Sequence, residues 1–515
     1  MRESLDPSPR TRATLLKVVG ALTSVALLGA VFALGARYGS DQVRARDEWV
    51  GGKLLSTAID SVRANALDSL PSEELIRRAV SGMLRELHDP YAALLRPEGY
   101  KSYRGALLGE SQGMGMSLRL QGPLLSVRRV AVGSPAATAG VHRGDRVLEW
   151  NGLPITDARL RAGADSSRVQ GDHTELLLWR APRGDSIRVT VHRATWHTPA
   201  VTESGLLSDS VGYVRLATIT QRATEEVERT VTALTRRGAR SLVLDLRGNG
   251  GGLFEEGVST AGLFLPTNVV VASLAGRGGS VPQVYRARGS RWPTMPLTVL
   301  VDAGTASAAE VIAAALREHD RALLVGAPTY GKGVVQRVVR LSPELSLRLT
   351  TARWLTPTGR MLVRRQGTGP SATGGLQPDV LLDDATWRDP SGVPRDWSAL
   401  AVTSIVAEAD SVAMQGLRDG WVTSSVAMLE SRVRQQVSAQ IPRRLTSAIG
   451  PAQWVGVATR LAMARILEVR TMDEALLRYA MREDAALRAG LEVLAPGRDA
   501  TQMLPSDLPR ALVAR

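Results

Sequence analysis

The chain contains no cysteine. Disulfide scaffolds, thiolate nucleophiles and cysteine-based zinc sites are therefore excluded, and redox chemistry gives no reading of the compartment. Aromatic residues are scarce, 4% of 515 positions with three Phe among them, so the cores must be assembled from Ala, Val and Leu. A long Lys/Arg run is missing too. The formal charge is +14 and the pI near 10.7, but the arginines are scattered, and nucleic acid is not an expected partner. What remains is ordinary for a globular protein: 44% hydrophobic and 22% charged residues, with length for three or four domains.

One long apolar run stands out. Val18 to Ala36 are nineteen uncharged, mostly apolar positions, enough for a spanning helix. Arg2, Arg10, Arg12 and Lys17 precede it, which by the positive-inside rule leaves the first residues in the cytoplasm. The expected organisation is a cytoplasmic segment at 1–13 and a transmembrane helix or signal anchor at 14–36. The rest of the chain then lies outside the cytoplasmic membrane, in the periplasm. A cleaved signal peptide ending near Gly35-Ala36 is the competing reading.

Residues 37–110 carry helical spacing, with Leu75, Ile76, Val80, Met83, Leu84 and Leu87 in register and a stop at His88-Asp89-Pro90. From 111 to 195 short strands and glycine turns take over, including Arg146 to Trp150 before an Asn151-Gly152 hairpin turn. Ser134-Pro135 opens a short helix. From 196 to 383 strands and helices alternate: strand 212–216, helix 223–237, strand 241–246, strand 297–301, helix 306–319, strand 321–325 and strand 334–341. That order predicts an α/β core with parallel strands. Residues 384–515 read as helical, with a last helix that has capping-box spacing at Thr471 and Glu474 and an end near Gly490.

Three stretches of the α/β region carry chemistry. Ala303 to Glu310 joins a strand to a helix, where Ser307 would stand at a helix N-terminus with free N–H groups beside it. The plain alternative is that Ser307 and Glu310 form only a capping box. Lys332 lies between Gly331 and Gly333, where a surface lysine on a turn is the plain alternative. Gly326 to Lys332 matches most of a phosphate-binding loop, but Gly333 replaces the required Ser or Thr, and the residues after it favour strand over helix. Arg247 to Gly252 is glycine-rich, without the spacing of a dinucleotide fingerprint, and its N–H groups could cradle an anion.

Taken together, these residues resemble the carboxyl-terminal processing proteases, also called tail-specific proteases. The text that carries the resemblance is Asp245-Leu246-Arg247-Gly248-Asn249-Gly250-Gly251-Gly252, then Ala306-Ser307-Ala308-x-Glu310, then Tyr330 to Gln336. Leu349 to Trp354, Thr356-Pro357-x-Gly359-Arg360, Gln377-Pro378-Asp379-Val380 and the upstream Asp89-Pro90-Tyr91 also fit. The resemblance implies Ser307 as nucleophile, a neutral Lys332 as its general base 25 residues on, and Gln336 positioning the amine. It places the oxyanion between the Ala308 N–H and one N–H of the glycine run, Gly251. Thr305 and Ala309 stand where serines are common. Residues 111–195 are similar to the PDZ domain of this family. Gly113, Met114, Gly115 and Met116 would be its carboxylate-binding loop, and Arg168 stands where a sensor of tail binding could lie.

The expectation is therefore an α/β protease core at 196–383 with an inserted, mostly β PDZ domain at 111–195. An N-terminal transmembrane helix and a helical C-terminal extension at 384–515 complete it. The function expected is a serine endopeptidase that selects proteins by unstructured C-terminal tails and is held at the membrane by its N-terminal helix. No cofactor and no metal site is called for. A membrane-tethered PDZ adaptor without catalysis is the alternative, and the complete Ser307, Lys332 and Gln336 set argues against it. The extension could assemble a homo-oligomer or cap a substrate channel.

Overall fold

The computed structural model describes residues 52–494 apart from 69, 122–123, 132, 156–170, 181–184, 209, 280–281, 363–373, 383–398, 420, 422–425, 440–449, 470–474, 476–478 and 480–483. The expected span at 14–36, Arg168 and the capping pair Thr471 and Glu474 lie outside the described residues. Among the described residues, no helix is long and apolar enough to cross a membrane.

The chain divides into two compact units, 1–94 and 95–515. In the first, helix Ser72–Glu86 follows Pro71 and carries Glu73 and Glu74 in its first turn, where acidic side chains suit the positive end of the dipole. His88, at φ 51°, turns the chain after it, where the sequence reading puts the stop.

In the second unit, six strands form the central sheet in the order Val201–Leu206, Val211–Leu216, Ser241–Asp245, Leu297–Val301, Leu323–Gly326, Val380–Leu381. The first pair is antiparallel and the others parallel. The strand alternation sorts side chains onto two faces. Val214, Leu216, Leu242, Leu244, Leu297, Val299, Val301 and Leu324 face helices Ala223–Arg236, Phe254–Gly262 and Ala308–Glu318. Val211, Tyr213, Val243, Leu300, Val325 and Val380 face helix Ala485–Val493. Both faces are covered, which is why Ser241–Asp245 and Leu297–Val301 are buried throughout and read as continuous apolar runs.

That last helix corrects one expectation. Gly490 does not end it but lies inside it: a Cβ there would stand 3.3 Å from Leu300 and 3.4 Å from Thr298, so the glycine lets helix and sheet approach. Residues 485–493 of the 384–515 segment pack directly on the central sheet. Burying Leu487 and Val493 against the sheet stabilises by roughly 1.5–3 kcal/mol per side chain. Helices Ala399–Arg418, Val426–Ala439 and Pro451–Val469 form a separate cluster around Trp454, and Trp179 packs against it.

A second sheet continues the core. Strand Ser346–Leu355 pairs antiparallel with Val334–Arg340 and, at its end, with Val270–Ala275, which in turn pairs with Gln283–Arg286. Residues 110–197 fold as an antiparallel β module in the order Met116–Gln121, Leu124–Val130, Arg146–Trp150, His173–Arg180, Asp185–His192. Its neck is the ribbon Glu110–Gly113 with Ala194–His197. Ser134 caps the short helix Pro135–Thr138, as its sequence suggested. Buried Asp145 binds Arg180 through two hydrogen bonds of 2.8 and 2.6 Å, and the Arg180 guanidinium also reaches the Gly140 carbonyl.

Candidate active site

The site is a meeting of three turns, each leaving the C-terminal end of a central strand. Strand Ser241–Asp245 runs into the glycine run 247–252, strand Leu297–Val301 into the Ser307 turn, and strand Leu323–Gly326 into the segment holding Lys332. Functional residues of open α/β sheets gather at that end.

The Ser307 turn is sharp. Asp302 Oδ1 accepts from the Gly304 N–H, the Gly248 N–H and the Thr305 hydroxyl at 3.0, 2.8 and 3.1 Å. The fully buried Thr305 hydroxyl shares its one proton with the Leu246 carbonyl, 2.9 Å away. Thr305 is thus a joint between two of the three turns. Ser307 then takes φ 56° and ψ −122°, a region that costs a non-glycine residue on the order of 1–3 kcal/mol and clusters at functional sites. It immediately precedes helix Ala308–Glu318, whose first amide, on Ala308, is among those with no carbonyl four residues back in the helix.

Glu310 has more work than a cap. Its fully buried carboxylate accepts from the Ser307 N–H at 2.8 Å and the Lys332 N–H at 2.9 Å through one oxygen, Oε2. The other oxygen accepts from the Thr329 hydroxyl at 2.6 Å and the Gly331 N–H at 2.7 Å. Burial pushes this carboxyl above the usual carboxylate range, and the four donors pull it part of the way back. The capping-box spacing is real on the Glu310 side, but the same side chain ties the backbones of Ser307 and Lys332 to one atom.

Lys332 is half-buried and far from a plain surface turn. Gly331 has φ 86°, and a Cβ on Gly333 would fall 1.9 Å from the Leu362 carbonyl oxygen, so glycine is required on both sides. The Lys332 carbonyl accepts from Trp354 Nε1 at 2.9 Å, and Trp354 is itself buried. Strand Val334–Arg340 follows, where a phosphate-binding loop would need a helix. Gln336 lies on this strand opposite Thr350, just after a register shift between Val335 and Gln336 that re-aims the side chains following it. Its Nε2 is buried and makes no hydrogen bond within the described chain, a state that needs a functional or structural reason.

The glycine run packs against the Ser307 turn. The Ala306 N–H donates to the Asn249 carbonyl at 2.9 Å, and Asn249 Nδ2 reaches the Leu216 carbonyl at 2.8 Å. A Cβ on Gly251 would fall 2.9 Å from the Ala308 nitrogen and 2.8 Å from Ser307 Cβ, so only glycine leaves the space before the Ala308 N–H open. The Gly251 N–H itself is engaged, donating to Asn249 Oδ1 at 2.9 Å. In this structure the amide of Gly251 holds the turn, and the residue shapes the pocket by lacking a side chain.

The sequence alone assigns no role in the site to Thr305, Asp302 or Trp354, and shows only the first half of Glu310's role. The carboxylate was visible in its motif, but its bonds to residues 329–332 come from a different strand connection. The expected tail-binding residues lie apart from these turns, in the β module. Gly113 ends the neck strand, Met114 is buried in the module's core, Gly115 has φ 73°, and Met116 begins the edge strand.

Comparison with known proteins gives the family. The family model "Peptidase family S41" matches residues 210–381. A carboxyl-terminal-processing protease of Picosynechococcus sp. is 35% identical over 285 residues, 54% of this chain and 68% of that one. The carboxy-terminal processing protease CtpA of Bacillus subtilis is 30% identical over 327 residues, 63% of this chain and 69% of that one. A solved photosystem II D1 C-terminal processing protease is 28% identical, covers 66% of this chain and 95% of its own, and superposes with a TM-score of 0.38. The chain belongs to the S41 serine peptidases, among the carboxyl-terminal processing proteases.

Proposed function

We propose that this peptidase cleaves proteins with a Ser/Lys pair, Ser307 as nucleophile and Lys332 as general base, and selects them by their C-terminal tails. The observation that carries this reading is the shared Glu310 oxygen, which binds the Ser307 and Lys332 amides together while Ser307 holds a strained turn. In the proposed reaction Ser307 Oγ attacks the scissile carbonyl as the neutral Lys332 amine takes its proton. The tetrahedral oxyanion forms before the Ala308 N–H at the helix N-terminus, and Lys332 returns the proton to the leaving amine. Gln336, with its buried amide nitrogen unpartnered, orients the amine.

Tail selection is assigned to residues 113–116. Strand Met116–Gln121 is the end strand of its sheet, pairing with Leu124–Val130 on one side, so a substrate tail could add along the other. The same reading puts the enzyme outside the cytoplasmic membrane, held by residues 14–36, and its support is the uncharged apolar run from Val18 to Ala36.

The test is cleavage of an unfolded protein by enzyme lacking residues 1–40, against its Ser307→Ala variant. Loss of cleavage in the variant is expected. Undiminished cleavage would overturn the catalytic assignment, and binding of tails without any cleavage by the parent would favour the adaptor reading. Protease accessibility in spheroplasts tests the location.

A further inference from the structure

We propose that Asp484, in the C-terminal segment beyond the family match, is a positioning residue for the peptidase reaction, acting through Arg247 on the glycine run. The proposal rests on the Ser307/Lys332 reading above.

Arg247 is the first residue of the run after strand Ser241–Asp245, and its side chain is 5% exposed. It is gripped by two carboxylates. Asp245, two residues back, takes Nε at 2.8 Å and Nη2 at 2.6 Å. Asp484, 237 positions along the chain, takes Nη1 at 3.0 Å through Oδ1 and Nη2 at 2.8 Å through Oδ2. Planar guanidinium accepts such two-point contacts with a defined orientation, which a point charge would not impose. Burial works against the charge on Arg247, but Asp245 and then Asp484 outweigh it and hold the guanidinium firmly protonated.

Asp484 is itself fixed. It caps helix Ala485–Val493, with Oδ1 accepting from the Ala486 and Leu487 N–H groups at 3.0 Å each. That helix is seated on the central sheet through Ala486, Leu487, Ala489 and Val493. The carboxylate is therefore a rigid post, placed by packing on the sheet face remote from the Ser307 helix.

The glycine run needs such a post. Gly248, Gly251 and Gly252 have φ 68°, 93° and 155°, so the backbone there has wide intrinsic freedom and its path must be imposed from outside. Anchors along the run do this: Arg247 on the two carboxylates, the Gly248 N–H on Asp302, and the Asn249 carbonyl on the Ala306 N–H. Gly251 then borders Ser307 and the Ala308 nitrogen. Releasing the outer grip on Arg247 shifts the space in front of the Ala308 N–H without touching Ser307 or Lys332.

The experiment uses the full chain, assayed on an unstructured peptide well below its unfolding midpoint. Asp484→Asn and Asp484→Ser both keep a good N-cap while removing the charge, so the helix should stay seated. The expected result for both is a kcat lowered on the order of 10- to 100-fold with KM changed less than about twofold, since small misplacements at a reacting centre have such effects. The rate of fluorophosphonate labelling should fall in parallel, and Asp484→Glu should recover part of the loss. A kcat within about twofold of the parent in either folded variant, or a KM effect alone, overturns the proposal. The parental rate and its loss in Ser307→Ala report separately on the catalytic reading. The ratio of the Asp484 variants to the parent reports on this one.

Discussion

The Ser307 turn and the loop at residues 113–116 are both built around glycine, but they are held in different ways. At the Ser307 turn, side chains from distant positions bind the backbone: Asp302 and Thr305 to residues 246–248, Glu310 to residues 329–332. At the loop, two carbonyls accept from nearby amides, Met114 from Ala136 at 2.8 Å and Gly115 from Ala131 at 2.9 Å. The rest is packing, with Gly115 pressed against Ser134 and Trp196. The first is fixed by several independent anchors, so damage to one should affect rate through geometry. The second is fixed by close contact, and damage to it should affect which substrates are taken.

Substitutions can break this contrast, and the largest expected effect is at the general base. Lys332→Arg keeps a cation but cannot supply a neutral amine, so it should match Lys332→Ala, on the order of a thousandfold below the parent, with an unchanged unfolding midpoint. A variant retaining a tenth of the rate would make the lysine a structural cation. Next is Gly251→Ala. At φ 93° the new Cβ would meet the Ala306 carbonyl at 2.7 Å and crowd the Ala308 nitrogen, so kcat should fall by about a hundredfold, as for loss of an oxyanion donor. Steady-state kinetics showing a change confined to KM would contradict the pocket drawn here.

Glu310→Gln should cost both rate and stability. Whichever oxygen becomes NH2 faces two donors, and a buried mismatch of this kind costs about 1–3 kcal/mol. The pH dependence is distinctive. Because burial raises the native pKa of Glu310, its contribution is most favourable below the ordinary carboxylate range and declines as pH rises through the raised value. The stability gap between parent and Glu310→Gln, measured by urea unfolding, should therefore narrow from acid toward neutral pH. A gap that widens would mean the four donors outweigh burial.

On the β module the effects should be smaller and of another kind. Gly115→Ala would put a Cβ 2.1 Å from Ser134 Cβ, and should reduce tail-dependent cleavage about tenfold, chiefly through KM, while labelling of Ser307 by a fluorophosphonate keeps its rate. The smallest effect is expected from amidating the substrate's C-terminus, a several-fold rise in KM from one lost charge-assisted contact. An unchanged rate with amidated substrate would remove tail recognition and leave the peptidase standing.

Much of this was legible in the sequence because the motifs are local. The strands Ser241–Asp245 and Leu297–Val301 showed as apolar runs, and the Ser307 turn showed as a strand-to-helix junction. The strands Val270–Ala275, Gln283–Arg286 and Ser346–Leu355 did not show as such, because their burial follows no regular alternation. Gly490 was misread as a helix end because, in one dimension, a glycine that ends a helix and one that admits a sheet look the same. Asp484 carried no signal at all: its meaning is given by Arg247, which only the fold brings near.

The helix Ala485–Val493 also bears on how this protein is made. The sheet that carries the three turns begins at Val201, and its second face stays uncovered until that helix has been synthesised. A chain emerging from the ribosome, N-terminus first, therefore holds Ser307 and Lys332 long before it can complete the core around them. Contacts of such wide sequence separation form slowly. The nascent protein should stay proteolytically silent through most of its synthesis, and acquire activity only as one of its last folding steps.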